Sequence, residues 1–481
     1  MTKRPVRKHP RKTAKAVERK AIATELPVGG VTAPASLIAP AQRRRLERRN
    51  VLERITSNGT ISALVMIVAA VVAVICANTP AYEAIHAFLQ ESVSLVFGPW
   101  SFSLSIELFV NDFLMAIFFL LVGIELKYER TVGELRQPRQ AMLPMLAAVG
   151  GVVVPACIYG FVNRGGAVYG WAIPMATDIA FALGVLSLLG NRVPPALKVF
   201  FSTLAIADDL LAIAAIALFY GHAPNLFWLG CAAAVTAALV VLNRWRRFRL
   251  APYLALGLVL WFCLFQSGVH ATLAGVILAF TIPARSDIVA SELVGWLGSK
   301  LPELDDRFDD EVHILGQHDF TRAARGVERV MHRVTPPLQR LEHYISTPVN
   351  FLILPIFAFV NAQVRLVGVD PLSLVFDPVA IGVYLGMLLG KPIGIAGMTA
   401  LLVKTRIAHL PTGVSMRHIV GVGILGGIGF TMSILISGLA FTQIPAELLA
   451  AKTAILAGSA SAALVGLLYM HVACGARREK S

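Results

Sequence analysis

Three aspartates lie in the middle of two apolar segments between Trp171 and Tyr220. Asp178 belongs to the first segment, and the adjacent Asp208 and Asp209 belong to the second. A carboxylate at the centre of a bilayer costs about 2.5–3.5 kcal/mol on insertion scales, so three of them at this depth need a reason. The pattern predicts a site that binds cations or protons.

The composition supports a membrane setting for these acids. The chain has 481 residues, of which 56% are hydrophobic and 15% charged. Its mean hydropathy of +0.69 is too high for an ordinary soluble protein. A net charge of +14 would suggest nucleic acid in a soluble protein, but here the basic residues concentrate in the chain ends and in particular loops. We therefore expect contact with membrane lipids and no nucleic-acid partner.

The cysteines indicate packing rather than chemistry. None has the CxxC or Cys/His spacing of a metal site, and all five lie in or beside apolar segments: Cys76, Cys157, Cys231, Cys263 and Cys474. We expect no resident metal and no cofactor.

Hydropathy predicts an all-α polytopic membrane protein with about twelve spans, each long enough for about 30 Å of hydrocarbon. The predicted spans are 60–78, 105–126, 141–162, 171–189, 198–220, 225–243, 251–266, 268–283, 348–364, 380–403, 417–441 and 447–472. The seventh and eighth could instead form one bent hairpin. Two short tilted helices are preferred because merging them would break the alternation of charged loops.

Basic residues alternate between successive loops. With the N-terminus in the cytoplasm, the loops on that side contain Lys127, Arg130, Arg136, Arg139, Arg192, Lys198, Arg244, Arg246, Arg247, Arg249, Lys404, Arg406 and Arg417. The opposite loops contain only Arg164 and Arg365. This asymmetry predicts an even number of spans with both termini in the cytoplasm.

The charge pattern also divides the chain into five parts. Residues 1–58 read as a basic disordered tail, and 59–283 form a first transmembrane part that includes the aspartate helices. Residues 284–347 form a cytoplasmic insertion loop, in which Pro336-Pro337 limits a surface helix. Residues 348–472 form a second transmembrane part, and 473–481 form a cytoplasmic tail.

Two of the predicted spans carry signals of interrupted helices. Pro174 precedes Thr177 and Asp178 at mid-membrane, where irregular backbone is tolerated only if it faces protein or a water-filled cavity. Gly421–Gly429 is a second candidate break, although glycines also serve close helix packing. Two crossing half-helix pairs leave charged helix ends. Asp178 is suited to the positive ends, and Lys391 in the span 380–403 is suited to the negative ends.

The adjacent acids Asp208 and Asp209 diverge by about 100° on a helix, so both cannot point at one atom. One of them can bind a cation such as Na⁺ while the other pairs with Lys391 or a helix end. Burial disfavours a bare carboxylate, so a proton must occupy the site when no cation does. Competition of this kind is enough for exchange if the site opens to one side at a time. Simple charge pairing within the bundle is the alternative, but it leaves three acids against one lysine.

Seven segments, in order across residues 59 to 472, resemble the NhaA family of bacterial sodium/proton antiporters. They are NDFLMAIFFLLVGIELK (111–127), ATDIAFALGV (176–185), LAIADDL (204–210), SGVHATLAGV (267–276), LPIFAFVNA (354–362), GKPIGI (390–395) and GIGFTMSI (427–434). The resemblance implies an inverted-repeat antiporter fold with two interrupted crossing helices. It also implies a bacterial plasma (inner) membrane location and a role in pH homeostasis.

The resemblance assigns roles to the acids as well. It implies that Asp208 and Asp209 bind the transported Na⁺ and the protons, with Asp209 the more direct ligand and Asp208 the partner of Lys391. It implies that Thr177 and Asp178 lie at the helix crossing. Exchange in the family is electrogenic, with more protons than sodium ions per cycle, and it expels Na⁺ or Li⁺.

Regulation by pH is a further implication of the resemblance. The matching residues are Glu125, Glu129, His270, Glu342 and His343. Read on its own, a lone histidine beside Gly268 at an external turn is at least as often a packing or capping residue as a sensor. Tyr128 stands where the family pattern has a basic residue beside Lys127, and Ser346 stands where some relatives have a second histidine. Both departures lie in the region to which the resemblance assigns the pH response.

The predicted function is therefore a transporter and not an enzyme, with Na⁺, Li⁺ and H⁺ as substrates. Another monovalent cation/proton transporter or channel of the same architecture is the nearer alternative. An intramembrane aspartyl hydrolase is remote, because it needs two carboxylates facing one water and the chain lacks a Gly-Xaa-Gly-Asp motif. Family members often pair, so a homodimer is an open expectation.

Overall fold

The computed structural model describes residues 25–28, 31–34, 59–97, 100–133, 136, 138–221 and 224–475. Most of this part of the chain is helical, which confirms the predicted all-α membrane fold. Most of the predicted tail 1–58 and the last six residues lie outside the described ranges. Within that tail, β1 (Glu25–Val28) and β2 (Val31–Pro34) pair antiparallel, with Glu25 opposite Pro34, so this stretch departs from the predicted absence of regular structure.

Helices α1 to α18 follow along the described chain, and two of them, α11 and α12, belong to the insertion. The first nine helices are α1 (Gly59–Ala77), α2 (Ala81–Gln90), α3 (Ile106–Thr131), α4 (Pro138–Val162), the 3₁₀ helix α5 (Val168–Met175), α6 (Ile179–Ser187), α7 (Pro195–Phe219), α8 (Leu226–Arg244) and α9 (Leu250–Ser267). The others are α10 (Leu273–Thr281), α11 (Ala290–Arg307), α12 (His318–Val334), α13 (Pro337–Asn361), α14 (Pro371–Val375), α15 (Pro378–Lys404), α16 (Met416–Gly426), α17 (Phe430–Ala440) and α18 (Pro445–Gly475).

Within these ranges, ten helices are long and apolar enough to cross a membrane when α5 and α6 count as one. The bent pair α16 and α17 makes eleven. The predicted span 268–283 contains only α10, whose nine residues cover about 14 Å at 1.5 Å per residue. Gly268 ends α9 in a left-handed conformation with φ of 78°. The seventh and eighth segments are therefore two separate helices, as predicted, and α10 brings the number of segments to twelve.

A hairpin between the first two spans was not predicted. β3 (Ser92–Phe97) pairs antiparallel with β4 (Trp100–Ser105), from Ser92 opposite Ser105 to Phe97 opposite Trp100. Serines and apolar residues alternate in both strands around Gly98-Pro99, which is the period and the turn chemistry of a hairpin. Hydropathy averaged over a whole span does not detect this pattern.

The insertion between the two transmembrane parts is more ordered than a loop. It contains the helices α11 and α12, and α12 ends at Val334, before Pro336 as predicted. Lys300 donates a hydrogen bond of 2.6 Å to Glu303, and this bond holds the pKa of the Glu303 carboxyl below its usual range. The Lys300–Glu303 pair lies at the surface, with 39% and 35% of the two side chains exposed.

Close packing between α4 and α15 places Lys391 inside the bundle. A Cβ atom on Gly150 or on Gly394 would lie less than 3.0 Å from the backbone of the opposite helix, so only glycine permits this approach. A π-helical segment, Gly386–Gly390, immediately precedes Lys391 and Pro392. Such segments re-aim the side chains that follow them and are frequent at functional sites.

Candidate ion-binding site

Two interrupted helices form the centre of the site. The 3₁₀ helix α5 contains Pro174 and ends at Met175, and α6 begins only at Ile179. The second interruption separates α16 from α17 at residues 427–429, and the two helices make an angle of 47°. Both breaks fall where proline or glycine weakens a helix, as the sequence predicted.

The two breaks contact each other directly. The Asp178 amide donates to the Ile428 carbonyl oxygen at 2.6 Å, and the Ser433 hydroxyl donates to the Ile173 carbonyl oxygen at 2.7 Å. A Cβ atom on Gly429 would lie less than 3.0 Å from the backbone of Ala176. Backbone groups freed by the breaks are thus satisfied across the crossing, which is the condition for irregular backbone in a membrane.

Asp178 caps both half-helices that start at the crossing. Its Oδ1 accepts from the Phe181 amide at 3.0 Å, in the first turn of α6. Its Oδ2 accepts from the Thr431 hydroxyl at 2.7 Å and from the Thr431 amide at 3.3 Å, in the first turn of α17. A carboxylate at two helix N-termini is stabilised by their amides and by the positive ends of their dipoles.

Lys391 is fully buried and contacts a second carboxylate. Its Nζ forms an ion pair with Asp208 Oδ2 and donates to the Thr177 hydroxyl at 3.0 Å. The same hydroxyl lies 2.6 Å from Asp208 Oδ2 and 2.8 Å from the Gly426 carbonyl oxygen at the end of α16. A hydroxyl carries one proton, so Thr177 can donate to only one of these two acceptors at a time.

Two carboxylate oxygens near this network have no partner. Asp208 Oδ1 and Asp209 Oδ1 are both buried and without a hydrogen bond within the described part of the chain. Asp209 follows Asp208 on α7, so the two side chains leave the helix about 100° apart. Buried acceptors without donors are unusual and need either a proton or a cation.

Four of the five residues suggested as pH sensors come together where α3 meets the start of α13. The Glu125 carboxyl interacts with the charges of Glu342 and Glu129, and Glu342 interacts with the adjacent His343. The carboxylates of Glu125, Glu129 and Glu342 thus lie in one region, at the same end of α3 as Lys127. Like charges placed in one region repel each other.

The fifth residue, His270, lies at a different position. It follows α9, and its Nε2 donates to the Tyr220 carbonyl oxygen at 2.9 Å. It lines a cavity of about 460 Å³ together with Asp112 and Lys452. Asp112 and Glu125 are thirteen residues apart on α3, which corresponds to about 20 Å of helix.

Some polar contacts within the bundle were not anticipated. Asn361, on α13, donates through its amide to Asn111 Oδ1 at 2.6 Å, and Asn111 lies in the π-helical segment Phe109–Leu114 of α3. Two asparagines inside apolar segments were a visible signal, because buried amides need partners. Only the fold shows that they bind each other across 250 residues of sequence.

Comparison with known proteins identifies a family with this architecture. Residues 53–470 match the sequence profile described as Na⁺/H⁺ antiporter 1. The chain is 45% identical over 412 residues to the Na(+)/H(+) antiporter NhaA of Oleidesulfovibrio alaskensis, covering 85% of this chain and 91% of the relative. It is 44% identical to the NhaA protein of Mesorhizobium japonicum, covering 87% and 94%. It is 43% identical to that of Pseudomonas putida, covering 90% and 99%.

Proposed function

Because the chain belongs to the Na⁺/H⁺ antiporter 1 family and is a multi-pass sodium/proton antiporter, we propose that Na⁺ and H⁺ compete for Asp208 and Asp209. The observation that carries this proposal is the pair of unpartnered carboxylate oxygens, Asp208 Oδ1 and Asp209 Oδ1, in the interior of the bundle. A buried carboxylate without a donor is stable only after it takes up a proton or a cation. Either ion therefore relieves the same unfavourable state.

The neighbouring oxygens suit a hard monovalent cation. Besides the two carboxylates, the Thr177 hydroxyl and the carbonyl groups at the breaks of α5–α6 and α16–α17 supply oxygen ligands. Oxygen ligands are those that hard cations prefer. Asp178 is not one of the exchange groups in this proposal, because both of its oxygens already accept hydrogen bonds from helix ends.

Lys391 and Thr177 give the site two arrangements. When Asp208 is ionised, its Oδ2 accepts from Lys391 and from the Thr177 hydroxyl. When Asp208 is protonated, it donates to that hydroxyl, which then donates to the Gly426 carbonyl oxygen at the end of α16. Proton uptake is thereby transmitted to one of the crossing half-helices. Opening of the site to one side at a time requires such a link between occupancy and backbone.

The full proposal is electrogenic, pH-regulated exchange by alternating access. External protons, more than one per sodium ion, enter while cytoplasmic Na⁺ or Li⁺ leaves. The carboxylate cluster of Glu125, Glu129 and Glu342 with the adjacent His343 serves as the pH-sensitive region. The protein resides in the bacterial inner membrane as a homodimer with cytoplasmic termini, in line with the basic loops.

Proteoliposomes with a preset pH gradient test the proposal. Addition of Na⁺ or Li⁺ should collapse the gradient, and the apparent affinity for Na⁺ should fall as the pH falls, because protons then occupy the same carboxylates. A membrane potential set with potassium and valinomycin should change the rate if unequal charges exchange. An apparent affinity for Na⁺ that does not change with pH would refute competition at one site.

A further inference from the structure

A large basic cavity lies outside the transport site, where the insertion meets the bundle. Its volume is about 940 Å³, and it lies between α12, the start of α13 and the loop joining α8 to α9. Seven arginines line it, with His332: Arg246, Arg247, Arg249, Arg325, Arg329, Arg333 and Arg340. The only carboxylates among its lining residues are Asp287 and Glu328.

Two opposed walls carry most of this charge. Arg325, Arg329 and Arg333 recur every fourth residue on α12, a spacing that puts them on one face of the helix. The opposite wall is the loop between α8 and α9, which presents Arg246, Arg247 and Arg249. Like charges facing each other across a cavity repel, so this arrangement favours an anion between the walls.

Other protein groups neutralise little of the positive charge around this cavity. Of the two acids that line the cavity, Asp287 already forms an ion pair with Arg333. Within the described part of the chain, no side-chain hydrogen bond or ion pair satisfies Arg246, Arg247, Arg249, Arg325 or Arg329. Five guanidinium groups therefore remain available to a ligand.

Arg340 gives a second, independent indication of a ligand. Its Nη2 donates to the Phe248 carbonyl oxygen at 2.9 Å, and its Nη1 donates to His332 Nδ1 at 2.7 Å. These bonds fix the guanidinium between the two walls. Its Nε is buried and has no hydrogen-bond partner among the described residues, although a buried donor normally has one. The Arg340 side chain lines the cavity, so rotation of its guanidinium toward an acceptor bound there would give Nε a partner.

We propose that this cavity binds a multiply charged phosphate-bearing anion that bridges α12 and the loop between α8 and α9. Guanidinium groups match phosphate oxygens with paired, charge-assisted hydrogen bonds. A singly charged anion would leave most of the five unpaired arginines uncompensated. The headgroup of an anionic lipid and a free polyphosphate share this chemistry. The site is separate from the proposed ion exchange, and bound ligand would hold the insertion against the transmembrane part.

Titration calorimetry of the full-length protein with sodium tripolyphosphate tests the proposal. In detergent, Arg325→Gln combined with Arg329→Gln should weaken binding about a hundredfold, because each lost charge-assisted contact costs about tenfold. Arg307→Gln combined with Arg322→Gln is the matched control. It removes the same charge from α11 and α12, at two arginines paired with Glu303 and Asp319 outside this cavity, and it should bind as the wild type does.

A second measurement distinguishes a free polyphosphate from a lipid headgroup, and it also shows whether each variant is folded. Hydrogen exchange of α12 should slow on addition of tripolyphosphate, or on transfer from phosphatidylcholine to phosphatidylglycerol nanodiscs, in the wild type and in the control variant. Protection by tripolyphosphate assigns a free polyphosphate, and protection by phosphatidylglycerol alone assigns a lipid headgroup. Equal protection in the Arg325/Arg329 variant and the control, or no protection by either probe, would overturn the proposal.

Discussion

Asp178 and Asp209 are equally buried, since each exposes 3% of its surface, but their surroundings differ completely. Three donors from two half-helices satisfy Asp178. Asp209 has an unpartnered buried oxygen on an uninterrupted helix, α7. The difference teaches that burial alone does not identify a working acid. In our proposal, Asp178 holds the fold through these hydrogen bonds, whereas Asp209 keeps an oxygen open for Na⁺ or H⁺.

The strongest test of this comparison is Asp209→Asn. Loss of the negative charge should abolish Na⁺-driven proton movement in proteoliposomes, because neither ion then has a charged ligand there. Thermal unfolding should change little, since the amide replaces a carboxyl group that lacks a partner. Asp178→Asn should have the opposite result: its main effect should be a loss of thermal stability. Normal transport by Asp209→Asn would remove Asp209 from the site.

Breaking the buried ion pair between Lys391 and Asp208 should have the next largest effect. Lys391→Met leaves Asp208 buried without its cation, and breaking such a pair typically costs about 3–5 kcal/mol. The loss of thermal stability should be greatest at high pH and smaller at low pH, where Asp208 takes up a proton. A stability loss independent of pH would show that packing, and not charge, is the main role of Lys391.

Lys300→Met is the surface counterpart of that change. Lys300 lowers the pKa of Glu303, first through its hydrogen bond and then through its charge. A lowered carboxyl pKa stabilises the fold above the ordinary pKa and ceases to do so as the pH falls through the lowered value. The variant should therefore unfold thermally at a slightly lower temperature than the wild type at neutral pH and at the same temperature in strong acid. The difference at neutral pH should be small, because exposed ion pairs contribute little.

The backbone contact at the crossing should have an intermediate effect. Gly429→Ala forces a methyl group against Ala176 and should destabilise the protein by about 1–3 kcal/mol, as overpacking does. Gly438→Ala is the control on the same helix, because a Cβ atom there meets nothing within 4 Å. The control should be neutral or stabilising. Equal melting temperatures for both variants would contradict the close approach of the two breaks.

Within the bundle, the smallest expected effect concerns one hydrogen bond. Thr431→Val removes the hydroxyl that donates to Asp178 and should cost about 1 kcal/mol. Thr453→Val removes a hydroxyl that bonds only to the Leu449 carbonyl oxygen one turn earlier in its own helix, and it should cost less. Both can be compared by thermal unfolding in the same detergent.

Much of the architecture follows from local sequence. Stretches of about twenty apolar residues locate most of the spans, because the bilayer fixes their length and leaves helices as the way to satisfy the backbone. The breaks were also predictable, since Pro174 and the Gly421–Gly429 run weaken helices locally. Among the elements that were missed, the β3–β4 hairpin alternates every second residue, and α11 is too polar for a hydropathy search.

The candidate site depended on the sequence for its residue types and on the fold for its pairings. The sequence by itself determined that carboxylates and one lysine lie at mid-membrane, because charges at that depth are too costly to be incidental. Only the tertiary structure decided that Asp178 caps α17 through Thr431, 253 residues further along the chain, and that the Thr177 hydroxyl joins the Lys391–Asp208 pair to the end of α16. Such choices depend on distances between helices, and helical periodicity along one segment carries no information about them.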